Sequence, residues 1–210
     1  MGKTHFFSEL PDEQISAARA RILEAALALF HEKGFARTTV RDIAAQAGIL
    51  SGSLFHHFAT KQEILFEVMR LTTKALGRRA VAAVRGIAAP EDQLKALVLC
   101  ELDAIHGEGI HASRVLVDEW RDLEPEYREH ILTEREVYEE VWRQVLQGCA
   151  VRGLLKGRPP IVRQLLHGAL AWTRTWFLPG EPLSLVELTD EVCALALRGE
   201  IENLSVKALT

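Results

Sequence analysis

The stretch from Thr39 to Phe58 contains two helical segments too short to stand alone, and this constrains the fold more than any other feature. Thr39 followed by Asp42 has the form of a capping box. It opens a helix over about 40–47, which Gly48 closes, since glycine takes the positive φ of a sharp turn at little steric cost. Ser51 is placed to cap a further helix over about 52–58. Helices of about two turns are marginal in water and must pack on something. Two of them joined at a glycine form a helix-turn-helix. Ile43 and Ala44 supply an inward face, Ala47 permits a close approach, and Ile49 and Leu54 fill the corner.

The rest of the chain also reads as helix. No Asn-Gly or Asp-Gly hairpin turn and no sustained alternation of period two is present. Pro11-Asp12-Glu13 suits a helix start, and Ile15, Ala18, Ile22, Ala25, Ala26, Leu29 and Phe30 recur at helical spacing until Gly34. Thr60 with Glu63 is a second capping box and predicts a long fourth helix ending near Ala88, before Pro90. Further helices are expected over about 91–106, 111–120 and 126–152, the last with Ile131, Val137, Val141, Val145 and Leu146 as its buried positions. Pro159-Pro160 begins another, ending before Pro179-Gly180. The Ser184–Glu187 box opens the last, which runs to about Glu202. The fold class is all-α: a three-helix head over 1–60, a linking fourth helix over 61–89, and a helical body over 90–210.

At 210 residues, with 48% apolar and 26% charged residues, the chain can bury a sizeable core. The absence of a membrane-length apolar run and of a signal-peptide pattern implies no membrane partner and a cytoplasmic location. Cys100, Cys149 and Cys193 are odd in number and far apart, which suits reduced thiols better than a disulfide framework or a metal site. The net charge of −4 is unevenly spread. Up to Ala89 there are 12 Lys and Arg against 8 Asp and Glu, a net +4; from Pro90 there are 13 against 21, a net −8. A basic head on an acidic body can direct one end towards a polyanion.

The block from Gly34 to Leu65 resembles the DNA-binding head of the TetR family of bacterial transcriptional repressors. The resemblance rests on Gly34-Phe35, Thr38-Thr39, Ile43-Ala44, Ala47-Gly48-Ile49, the run from Gly52 to Phe58, and Lys61 with Glu63. It implies that Thr39 caps the second helix and touches phosphate, that Ser51, Gly52 and Ser53 open the recognition helix, that His56 contacts DNA, and that Lys61 binds phosphate. His57 and Phe58 match a pair that is mainly structural. Phe55 stands where the family usually has tyrosine, so a phosphate contact is lost while contact with a thymine methyl remains open. Ser51 replaces a frequent lysine. Arg37 and Arg41 are either phosphate contacts or solvated cations. The DNA-binding set is therefore Thr39, Arg41, Ser51, Gly52, Ser53, Phe55, His56 and Lys61.

All four tryptophans, Trp120, Trp142, Trp172 and Trp176, follow Pro90. Trp172 and Trp176 are four residues apart and share a face if their helix is continuous. These aromatics fill a core or dimer contact, or they line an apolar effector pocket with His111 and Arg114 as polar partners. The run Trp172–Gly180 followed by Ser184 also resembles the body of TetR regulators of fatty-acid and steroid catabolism. That resemblance implies an acyl-CoA-type or other lipophilic effector, for which Arg114, Arg163 and Arg174 could meet phosphate. The family further implies a homodimer through the last two helices, with Leu165, Leu166, Leu170, Leu188, Val192, Leu195 and Leu197 as the apolar supply. The expected function is a ligand-responsive repressor on a pseudo-palindromic operator, with no cofactor, metal or catalytic residue. A helical lipid or thioester enzyme and a protein-binding adaptor are the rivals. The chain contains no nucleophile elbow, zincin motif, phosphate loop or dinucleotide fingerprint, and neither rival needs the paired short helices.

Overall fold

The computed structural model describes residues 7, 15–107, 110–179 and 183–198, with residue 110 described by its backbone. Among these residues there are nine α-helices and no β-sheet, as the sequence predicts. They are α1 (Ala17–Lys33), α2 (Val40–Ala47), α3 (Ser51–Leu54), α4 (Lys61–Val84), α5 (Pro90–His106), α6 (Ile110–Asp118), α7 (Pro125–Val151), α8 (Pro159–Trp172) and α9 (Leu185–Ala196). No helix among the described residues is long and apolar enough to cross a membrane.

Local chemistry sets most boundaries. Helix α1 begins at Ala17 because the Ser16 hydroxyl accepts from the Arg19 N–H; the predicted start at Pro11–Glu13 lies outside the described residues. Both reciprocal hydrogen bonds of the Thr39–Asp42 and Ser184–Glu187 boxes form. Helix α4 stops at Val84, four residues earlier than predicted, and Gly86 turns the chain with φ +77°. Helix α8 stops at Trp172 and tightens into a 3-10 turn over Thr173–Thr175, so the single α-helical face expected for Trp172 and Trp176 does not form. Helix α9 ends at Ala196, and Leu197 forms an isolated antiparallel bridge with Leu155. The predicted continuation to Glu202 falls partly outside the described residues.

Two compact units emerge, and neither is continuous in sequence. The first joins the segment up to Val81 with Asp103–Tyr138; the second joins Ala82–Leu102 with the segment from Glu139 onward. In the first, Ile22, Phe30, Ile43, Leu54, Phe58, Leu65 and Met69 share one core with Ala112, Val115, Leu123 and Ile131. Residues from α6, α7 and the turn between them thus complete the core beneath the short helices.

In the second unit the centre is polar as well as apolar. The Arg163 guanidinium, almost wholly buried, makes a two-pronged pair with Glu139 at 3.1 and 3.2 Å and lies 3.6 Å from Glu101. It covers the Trp142 ring at 4.4 Å, and His167 Nδ1 lies 3.2 Å from the Glu101 carboxylate. Of the positions expected to be buried in α7, Ile131, Val145 and Leu146 are buried, Val141 is half-buried and Val137 is exposed. Burial pushes the thiols of Cys149 and Cys193 up to about 11, which keeps them as unreactive thiols.

Candidate DNA-binding surface

The surface is built by the turn between α2 and α3. The Thr39 hydroxyl accepts from the Asp42 N–H while the Asp42 carboxylate accepts from the Thr39 N–H. The Thr39 N–H foremost, and then the Thr39 side chain, hold the Asp42 carboxyl below its ordinary range. At the far end Gly48 is left-handed (φ +70°, ψ +36°), and Ile49 N–H returns to the Ala44 carbonyl. Any residue with a Cβ would strain this corner.

The recognition segment differs from its sequence reading in one respect. Ser51 does not cap α3; it is the first residue of the helix. Leu50 occupies the N-cap in an extended conformation and makes no side-chain capping bond. The regular helix is one turn long, and the chain continues from Phe55 to His57 as a tighter turn, with His56 N–H bonded to the Ser53 carbonyl and His57 N–H to the Leu54 carbonyl. Leu54 and Phe58 anchor the segment in the core.

Two cations brace the helix-turn-helix, and one of them, Arg19, holds this segment directly. Arg19 on α1 donates to the His57 carbonyl at 2.6 Å, lies 4.1 Å over the Phe58 ring, and sits 3.6 Å from Glu67. The sequence offered no motif that would single out Arg19. Lys61 is half-buried; its ammonium donates to the Phe35 and Thr38 carbonyls at 2.8 Å each and lies 4.0 Å over the Phe35 ring. Lys61 therefore ties the start of α4 to the corner that begins α2, with one N–H remaining.

The expected DNA-binding residues all belong to this one unit. Thr39, Arg41, Gly52, Phe55 and His56 are exposed, while Ser51, Ser53 and Lys61 are half-buried. A Cβ built on Gly52 would meet nothing within 4 Å, so the backbone there faces open space. Arg37 is exposed and donates from Nε to the Lys33 carbonyl.

The same unit carries a second anchor that sequence reasoning missed. The Gln62 amide donates to the Asp122 carbonyl at 2.6 Å and accepts from the Glu124 N–H at 3.3 Å. One turn on, the Phe66 ring stacks on Tyr127 at 4.5 Å. Glu119 accepts from the Phe35 N–H; burial foremost, with its bond to Asp122, raises its carboxyl above the ordinary range. A small cavity of about 140 Å³ lies beside it, lined by Phe30, His31, Arg37, Val115 and Asp118 among others. His31 meets His111 edge-on at 4.1 Å, and burial, then His111 and Arg114, lowers its pKa.

The expected effector residues divide between the two units. In the first, His111 is exposed against His31, Arg114 is half-buried, and Trp120 packs on the core beneath the short helices. In the second, Trp142 is fully buried beneath Arg163, whereas Trp172 and Trp176 are exposed. Arg163 is held by two carboxylates, which explains its place in the fold without a ligand phosphate. Among the described residues no three His, Cys, Asp or Glu side chains gather as metal ligands.

A helix-turn-helix with an outward recognition segment, carried by an all-helical chain, defines a DNA-binding regulator. Comparison with known proteins agrees. Residues 22–68 match the model of bacterial regulatory proteins of the tetR family, and residues 88–200 match the tetracyclin repressor-like C-terminal domain. The chain belongs to the TetR family of bacterial transcriptional regulators and is not an enzyme. It is similar to the HTH-type transcriptional repressor KstR2 of Mycobacterium tuberculosis (strain ATCC 25618 / H37Rv), with 34% identity over 89% of this chain and 94% of that one. The structure of the ketosteroid transcriptional regulator KstR2 of Mycobacterium tuberculosis superimposes with a TM-score of 0.73, at 31% identity, over 89% of this chain and 98% of that one. The superantigen PfiT gives a TM-score of 0.81 at 42% identity, over 88% of this chain and 98% of that one.

Proposed function

We propose that this chain is a homodimeric, ligand-responsive repressor that binds a pseudo-palindromic operator and is released by a lipophilic effector. The observation that carries the reading is the recognition segment, held from behind by Arg19, Leu54 and Phe58 and open to solvent at Gly52, Phe55 and His56. Two such segments would enter successive major grooves about 34 Å apart. Thr39 and Arg41 at the start of α2, with the remaining N–H of Lys61, would meet phosphate; Ser51, Gly52, Ser53, Phe55 and His56 would face base edges. We assign residues 1–60 to the DNA-binding head, 61–89 to the linking helix and 90–210 to the effector-binding and dimerisation domain.

The dimer reading rests on α8. Ile161, Leu165, Gly168, Ala169 and Trp172 follow one another at helical spacing, and all are exposed, Leu165 at 68% and Trp172 at 65%. A stripe of that length on one helix suits a self-complementary interface. Leu195 on α9 is exposed as well, whereas Leu166, Leu170, Leu188 and Val192 from the expected supply are buried within the protomer.

For the effector, the likeness to a ketosteroid regulator over nearly the whole chain supports a lipophilic molecule, with acyl-CoA thioesters as the particular class proposed. Of the expected effector residues, His111, Arg114 and Trp120 of the first unit remain proposed contacts; Trp142 is fully buried beneath Arg163, and Trp172 belongs to the exposed stripe of α8. The effector would favour a state in which the two heads no longer match the operator spacing, with α4 as the lever. A coupling of about 1–3 kcal/mol would weaken binding roughly 5- to 150-fold. The test is selection of bound duplexes from a random pool, followed by titration with acyl-CoA thioesters and steroid acids. A half-site repeat about one helical turn apart and release by one class of ligand are expected. Enrichment of no sequence would overturn the reading.

A further inference from the structure

The chemistry of the recognition segment is unusual for a surface that must distinguish bases. From Ile49 to Thr60 the chain has no Arg, Lys, Asn, Gln, Asp or Glu. The side chains that read guanine or adenine through paired hydrogen bonds, and those that accept from cytosine, are therefore missing from it. What it offers is the hydroxyls of Ser51, Ser53 and Thr60, two imidazoles and two large exposed apolar side chains. Leu50 is 79% exposed and Phe55 is 55% exposed, one at each end of α3. Leu50 holds an N-cap position, where a serine, threonine or aspartate would bond the first turn, and it contributes no such bond. Its side chain neither caps the helix nor fills the core. In the major groove, the base-edge group that rewards an aliphatic or aromatic side chain is the 5-methyl of thymine.

We propose that Leu50 and Phe55 determine operator specificity by packing on thymine methyl groups, so that the half-site is recognised chiefly by the position of its thymines. This rests on the operator-binding reading above and specifies its readout. Ser51, Ser53 and His56 would add single hydrogen bonds, which more than one base can satisfy. Gly52, open to solvent, would let the backbone come close enough for the two apolar side chains to reach the groove floor. Gln46 and Arg41, on α2, lie outside the segment and would act on flanking positions or phosphate.

The test uses deoxyuridine, which removes the methyl group from thymine and leaves its pairing and hydrogen-bonding edge intact. The operator selected from the random pool is resynthesised with each thymine replaced in turn, and dissociation constants for the full-length dimer are measured at one fixed salt concentration. One buried methyl corresponds to about a four-fold loss, and symmetric replacement in both half-sites to about sixteen-fold. Two positions per half-site should show this loss with the unaltered protein. In Leu50→Ala the loss should vanish at one of them, and in Phe55→Ala at another, because the partner of the methyl is already gone. Both substituted residues are exposed, and circular dichroism and dimer mass establish that the variants remain folded.

If deoxyuridine is tolerated everywhere while operator preference persists, the site is read by hydrogen bonds or DNA shape and the proposal falls. Survival of the deoxyuridine penalties in both variants would assign the methyl contacts to other residues and also overturn it. Failure to select any operator would remove the parent reading as well, an outcome distinct from the other two.

Discussion

Replacing Lys61 by methionine separates two roles for the same ammonium. Methionine keeps the aliphatic stem and removes the charge, so the Phe35 and Thr38 carbonyls lose their shared donor and the Phe35 ring loses its cation. Hydrogen bonds to a charged donor contribute about 1.5–3 kcal/mol each when sheltered. This side chain is half-buried and water replaces part of what is lost, so about 2 kcal/mol for the pair is the appropriate scale. For a chain of this size that lowers the melting temperature by roughly 4–8 °C. The remaining N–H, if it meets phosphate, adds a separate effect. The salt dependence of operator binding should flatten by about 0.9 per contact, hence about 1.8 for a dimer. Thermal denaturation followed by circular dichroism reads the first effect, and operator titrations across a salt series read the second. A variant that melts with the parent refutes the bracing role. A variant that melts lower while keeping the parent salt slope refutes the phosphate contact.

Substitutions in three other places test the remaining geometry. Arg163→Ala leaves Glu101 and Glu139 without their shared cation and should cost about 3–5 kcal/mol of unfolding free energy; combining Arg163→Met with Glu101→Gln and Glu139→Gln should restore most of it, and a single-variant loss below about 1 kcal/mol in urea titration would contradict this. Glu119 has a folded-state pKa raised chiefly by burial, so its contribution to stability is fully present below the unfolded value of 4.5 and is lost as pH rises through the folded value. Glu119→Gln should therefore stabilise the protein at neutral pH and lose that advantage below about pH 4.5; equal melting temperatures at pH 7 would count against it. Leu165→Asp sets like charges against each other across the proposed interface, so sedimentation should show a protomer that no longer binds the operator, and a persistent dimer would move the interface away from α8.

The elements legible in the sequence are those fixed by local chemistry. The capping boxes at Thr39 and Ser184 and the stops at Gly34 and Gly48 appear where their residue types demand them. Helix α3 departs from expectation at both ends: it begins one residue early, with Leu50 in the capping position in place of Ser51, and it stops at Leu54 because the residues from Phe55 to His57 tighten into a turn. Trp142 could not be assigned from its type alone, since the guanidinium that covers it comes from a residue 21 positions later in the sequence. Arg19 and Gln62 were invisible for a similar reason. Each acts on a backbone carbonyl 38 or 60 residues away, and a carbonyl carries no sequence signature.

The Gln62 clasp on Asp122 and Glu124 bears on how the protein can be re-engineered. A graft cut at residue 60 would transplant the short helices without the clasp, and without the Ala112, Val115, Leu123 and Ile131 that close their core. Exchanging only the exposed positions between Leu50 and His56 would leave every such tie in place. Altered promoter choice should therefore be sought by rewriting a handful of surface letters, with the scaffold beneath them kept whole.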